Sequence, residues 1–211
     1  MCGIIACTGE DVGSLAVEGL KRLEYRGYDS YGFAWVTGSG GAIQTRKSLE
    51  PLEDLGDRLP QCSAVVGHTR WATHGTVSLE NCHPHSAHDN SFSLVHNGIV
   101  ENYQDLRKTD ITCADVSDTQ VIVRLLETAL SKAASREGAL RDVLDRLGGR
   151  NTILVLFPDG EMLAARHGSP LLVSRTESQY FLSSDLISFA PYTSLYCPIP
   201  EQHIVRIKGK C

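Results

Sequence analysis

The chain has 211 residues, 42% of them hydrophobic, enough to close one sizeable core, so a single domain is expected. Its formal charge is -5, from 20 Lys plus Arg against 25 Asp plus Glu, which gives no electrostatic reason to expect nucleic acid or an anionic membrane as partner. No apolar stretch approaches the roughly 20 residues that cross a bilayer, no export signal opens the chain, and the seven cysteines are scattered with no CxxC, so a reducing, cytoplasmic setting is expected instead of a disulfide framework.

Residues 2–7 form an apolar run that predicts a buried strand at the very start. Leu15, Val17, Leu20 and Leu23 follow at rough helical spacing, predicting a helix to about Tyr25, where Arg26-Gly27 breaks it. Residues 31–37 and 42–47 alternate around a Gly-Ser-Gly-Gly turn and predict a hairpin, with Trp35 in the core. Residues 62–68 and 92–96 are further apolar runs ending in polar clusters, and the segment between about 75 and 90 is the longest without regular pattern.

From Asp118 the apolar spacing is helical, with Ser117 or Asp118 as cap, and a second helix is expected over about residues 137–147. Short strands follow at 152–157, 161–165, 170–174, 180–183 and 203–207, joined by tight turns. Tight turns favour antiparallel pairing, and the helices come in blocks instead of alternating with strands. The fold class expected is therefore α+β and layered.

Cys2 follows the initiator methionine. Its small side chain predicts removal of Met1, which would give a mature chain with thiol and free α-amine on one residue. An α-amine titrates near 7.7 to 8.0 and a thiol near 8.5, so the amine can accept the thiol proton during attack, with no separate histidine. Gly3 is read as leaving room for a substrate beside the backbone. In residues 68–75 the Arg70 guanidinium stands among hydroxyls, an indole and imidazoles, suited to a bidentate carboxylate pair. His96-Asn97-Gly98 offers an amide donor and an open backbone N–H for an oxyanion. Asp118 is either an N-cap or a carboxylate for a substrate ammonium.

Together Cys2-Gly3-Ile4-Ile5, the blocks 23–30 and 68–75, His83-Pro84-His85, His96-Asn97-Gly98-Ile99 and Asp118-Thr119 resemble the glutaminase domain of the class II, N-terminal-nucleophile, glutamine amidotransferases. The blocks at 23–30 and 68–75 resemble the glucosamine-6-phosphate synthase branch, which aminates and isomerises fructose 6-phosphate. The resemblance implies a four-layer αββα sandwich of two mostly antiparallel sheets, filling residues 1–211, with no cofactor and no metal. It implies Cys2 as nucleophile, its amine as base, Asn97 and Gly98 as oxyanion hole and Arg26 as support near the nucleophile. Arg70 would bind the α-carboxylate of L-glutamine and Asp118 its ammonium, with Trp71, Thr73 and His74 covering the substrate and His83 supporting that cover. Glutamine would be hydrolysed through a γ-glutamyl thioester.

Relatives of this kind continue into sugar-phosphate isomerase domains, which the 211 residues do not contain, so ammonia would pass to such a domain or to a separate synthase. A stand-alone glutaminase feeding another synthase, and an N-terminal-nucleophile hydrolase of a different amide, are the alternatives. Tyr31 stands where the family commonly has a small residue, implying altered packing and an altered acceptor-side surface. Cys82, His83, His85 and His88 could suggest zinc, but adjacent ligands beside Pro84 have the wrong spacing, and His85 and His88 are expected in solvent. Cys7, Cys62, Cys113 and Cys197 are read as buried small apolar residues and Cys211 as an exposed thiol.

Overall fold

The computed structural model describes residues 2–38, 40–55, 59–71, 76–110 and 117–208, without the side chains of 109 and 110. Strand β1 (Gly3–Thr8) is buried along its whole length and lies inside a seven-stranded sheet. It pairs antiparallel with β4 (Ala64–Arg70) on one side and β10 (Tyr180–Ser183) on the other. Beyond β4 come β2 (Ser30–Val36) and β3 (Gln44–Ser48), which form the expected hairpin. Beyond β10 come β9 (Leu172–Arg175) and β11 (Tyr196–Pro198). The second sheet runs β12 (His203–Ile207), β8 (Met162–His167), β7 (Asn151–Leu156), β6 (Ser93–Gly98) and β5 (His85–Ser86). Every pairing in both sheets is antiparallel.

Period-two alternation sorts the apolar residues into layers. Ile5 and Cys7 of β1 face helix α1 (Gly13–Arg22), packing on its Ala16, Val17 and Leu20. Ile4 and Ala6, on the other face, meet Leu154, Leu156 and Ala164 of the second sheet. That sheet's outer face, with Ile153, Val155, Leu163 and Ala165, is covered by α3 (Asp118–Leu130) and α4 (Arg136–Arg146). The order is therefore helix, sheet, sheet, helix, as the resemblance implies.

Helix α1 stops at Arg22, and a single 3₁₀ turn at Glu24–Arg26 covers the rest of the helix expected to Tyr25. Helix α2 (Tyr103–Asp110) had no apolar stripe to announce it, for Leu106 is its only buried residue among those described. Tyr31 does not reach the surface: it is 3% exposed, sits in the layer under α1 and meets Phe33 edge-on at 6.2 Å, so the larger residue is absorbed by the core. Cys197, expected inside, is exposed on the edge strand β11, whereas Cys7 and Cys62 are buried; Cys113 and Cys211 lie outside the described residues. Burial pushes the Cys62 thiol up to about 12 and that of Cys7 higher still, so both stay protonated and inert.

Candidate active site

The ends of β1, β4 and β6 and the start of α3 converge on one cavity of about 550 Å³. Its wall includes Cys2, Arg70, Trp71, Gly98 and Asp118, five residues singled out in the sequence and drawn from four separate segments. Strand pairing explains the meeting: Gly3 is opposite Thr69, which brings Cys2 beside the Arg70-Trp71 end of β4.

The Trp71 backbone N–H donates to Cys2 Sγ at 3.3 Å, fixing the sulfur at the cavity edge. Burial raises the thiol's pKa, while the Trp71 amide and the charges of Arg70 and Arg26 pull it back. The thiol therefore rests protonated and needs a base at the moment of attack. The Cys2 carbonyl is gripped from two sides, by Asn97 Nδ2 at 2.9 Å and by Arg26 Nε at 3.1 Å. One N–H of the Asn97 amide is thereby anchored, and its second N–H is left for another acceptor.

Arg26 is 9% exposed, and its other partner is a residue the sequence reading missed: Asp185 Oδ2 lies 3.5 Å from Arg26 Nη1 and accepts the Tyr25 hydroxyl at 2.7 Å. Asp185 is far away in sequence and gives no local cue. Gly98 ends β6 at φ 152°, and a Cβ there would collide with the Arg150 carbonyl, so only glycine fits at this position of the cavity wall. Gly3 has a different reason from the one expected. A Cβ would lie 2.7 Å from Thr69 Oγ1 and 2.8 Å from Leu23 Cβ, so its missing side chain serves packing of β1 and not access for a substrate.

Ser117, not Asp118, is the N-cap of α3: its hydroxyl accepts the Gln120 N–H while the Gln120 side chain accepts the Ser117 N–H, a reciprocal capping box. Asp118 is thus the first helical residue, and its carboxylate, which accepts from Val100 N at 3.2 Å and Thr119 N at 2.9 Å, lines the cavity. Arg70, partly buried, donates to the Thr76 carbonyl at 3.2 Å. Trp71 is 43% exposed and packs on Tyr28, ring centroids 5.6 Å apart. Thr73 and His74 lie outside the described residues.

His83 also lines the cavity and belongs to a buried histidine cluster, stacked on His68 at 4.1 Å and edge-on to His85 at 4.8 Å. His85 is 6% exposed, contrary to the solvent position expected, because β5 pairs with β6 and carries the ring inward; His88 is exposed. Burial pulls His68 and His85 down to about 3 and lowers His83 and His96 as well, so all four rings are neutral at physiological pH. Among the described residues no three His, Cys, Asp or Glu side chains are arranged to hold a metal ion. No described helix is long and apolar enough to cross a membrane. Tyr103 and Arg107 of α2 also line the cavity, and the sequence reading named neither.

Residues 27–183 match the family model described as class-II glutamine amidotransferases. The chain is 42% identical over 220 residues to the glutamine–fructose-6-phosphate aminotransferase (isomerizing) of Caulobacter vibrioides, across 98% of this chain and 35% of that protein. It is 37% identical over 212 residues to the protein of the same name from Bacillus thuringiensis, across 97% and 35%. The chain thus spans about a third of the length of these relatives. The glutamine phosphoribosylpyrophosphate amidotransferase of B. subtilis superimposes with a TM-score of 0.83 at 21% identity, over 98% of this chain and 47% of that one. A structure titled as the allosteric regulatory enzyme of purine biosynthesis gives 0.85 at 20%, with the same coverage. At such identities these two show the shared fold.

Proposed function

This chain belongs to the class-II glutamine amidotransferases, and we propose that its cavity hydrolyses L-glutamine with Cys2 as nucleophile and delivers the ammonia to a sugar-phosphate synthase domain or subunit. The observation that supports the reading is the one cavity wall shared by Cys2, Gly98, Arg70 and Asp118. A free amino acid has a carboxylate and an ammonium at one end, and a site with one Arg and one Asp reads both.

In this reading Met1 is removed and the α-amine of Cys2 takes the thiol proton as sulfur attacks the side-chain amide carbon. The second Asn97 Nδ2 N–H and the Gly98 N–H receive the oxyanion. The tetrahedral intermediate collapses with the protonated amine supplying the proton that ammonia carries away. Water, activated by the same amine, then attacks the thioester carbon and releases glutamate and the thiol. Arg26 holds the nucleophile's carbonyl, Trp71, Thr73 and His74 cover the substrate, and His83 supports that cover from the cavity wall.

The acceptor is read as fructose 6-phosphate, since relatives at 37 to 42% identity carry that activity in their names. Residues 1–211 form one glutaminase unit acting in the cytoplasm, with the isomerase provided by further chain or by a partner. The test is a glutamine hydrolysis assay on processed protein, with and without fructose 6-phosphate and a co-purified synthase. Cys2→Ala should bind glutamine and release no glutamate; appreciable turnover by that variant would refute the nucleophile.

A further inference from the structure

Three buried side chains in the cavity wall, His83, His96 and Thr119, are hydrogen-bonded to one another in a single direction. His96 immediately precedes Asn97 and Gly98 on β6. Its Nε2 lies 3.0 Å from Asn151 Oδ1 and its Nδ1 3.1 Å from Thr119 Oγ1. The same hydroxyl lies 3.3 Å from His83 Nε2, and His83 Nδ1 accepts the backbone N–H of His96 at 3.2 Å.

The proton positions follow from the partners. Asn151 Nδ2 donates to the Gly148 carbonyl at 3.1 Å, which turns Oδ1 toward His96 as an acceptor, so His96 carries its proton on Nε2. Its Nδ1 then takes the Thr119 hydroxyl proton. His83 receives a main-chain N–H at Nδ1, carries its own proton on Nε2, and donates it to Thr119 Oγ1. The circuit closes on the His96 amide, and Thr119 is the one member that both gives and accepts between the two rings. Burial keeps both rings neutral, as the circuit requires, for a second proton on either would face an existing donor. Thr119 is also the residue after Asp118, whose carboxylate accepts the Val100 N–H two residues beyond Gly98.

We propose that Thr119 is a positioning residue for hydrolysis: through His96 and His83 its hydroxyl fixes the end of β6, so that the Asn97 and Gly98 donors stay aimed at the oxyanion while Asp118 holds the far end of glutamine. This rests on the reading of Cys2, Asn97 and Gly98 given above. A hydroxyl serving only to fill space at the helix start would be replaceable by a methyl.

Thr119→Val keeps the shape and deletes the hydroxyl, and Thr119→Ser keeps the hydroxyl and deletes the methyl. In a steady-state glutaminase assay of the whole chain, Thr119→Val should lower kcat about 10- to 100-fold, as misplaced oxyanion donors do, with glutamine KM changed less than about 3-fold. Thr119→Ser should restore kcat to within about 3-fold of wild type. Wild-type kcat in the valine variant, or equal impairment of both, overturns the proposal. Should the valine variant not fold, imidazole nitrogen chemical shifts of the wild-type chain decide: both His83 and His96 should be Nε2–H tautomers, and an Nδ1–H tautomer at either overturns it. Failure of the nucleophile reading is separate, since it appears as turnover by Cys2→Ala with the tautomers unaffected.

Discussion

Lowering the pH from 7 to 5 probes the buried histidines, because His68 and His85 are pulled down to about 3 by burial from an ordinary value of 6.5. Between those limits the unfolded chain binds more protons than the folded one, so stability rises with pH and is lost as pH falls below about 6.5. Integrating this linkage for one such ring from pH 7 to 5 gives a loss of about 2 kcal/mol. The pair together costs about 4 kcal/mol, and His83 and His96 are shifted in the same direction. Against a typical net stability of about 5 to 15 kcal/mol this is a large share, equivalent to a fall in Tm of about 8 to 16 °C. Urea unfolding followed by circular dichroism at pH 7, 6 and 5 measures it, with m constant across the series. His85→Phe removes one titrating ring whose Nε2 has no hydrogen bond among the described residues, and should recover about 2 kcal/mol of the acid loss. Equal unfolding free energies at pH 7 and 5, or a His85→Phe curve parallel to wild type, would refute the neutral cluster.

Two further substitutions address recognition and the oxyanion donors. Arg70→Ala should leave the carboxylate end of glutamine unpaired, raising KM about 30-fold or more, from a cost of at least about 2 kcal/mol; an unchanged KM in steady-state kinetics removes Arg70 from that role. Gly98→Ala forces a Cβ against the Arg150 carbonyl at φ 152°, so both Tm and kcat should fall, by at least about 1 kcal/mol in stability. Thermal unfolding and an activity assay that both matched wild type would contradict the claim that this position admits only glycine.

Much of the fold was legible because each sheet face is apolar on an alternating pattern, as in β1, whose odd residues meet α1 and whose even residues meet the second sheet. The start of α3 was legible to within a residue, since Ser117 and Asp118 are both cap types ahead of the helical spacing and Ser117 is the one that caps. Helix α2 was not, because only Tyr103 and Leu106 mark its packed side in an otherwise polar segment, and β5 and β11 were too short to stand out. The cavity residues were readable where they end apolar runs, as Arg70 and Gly98 do. Their supports were not: Asp185 reaches Arg26 only through the return of β10 beside β1, and Asn151 and Thr119 reach His96 only after β7 and α3 pack against β6. His85 shows the same limit, since a histidine after proline in a polar segment looks solvated until pairing turns it inward.

The central claim, that a mature terminal cysteine bonds covalently to glutamine, is tested most directly by mass spectrometry of the N-terminal peptide after rapid mixing with glutamine and acid quench. The account predicts Cys2 as the first residue and a γ-glutamyl thioester on its sulfur during turnover, absent from Cys2→Ala. A chain that hydrolyses glutamine while keeping Met1, or that turns over with its Cys2 sulfur never modified, would contradict it.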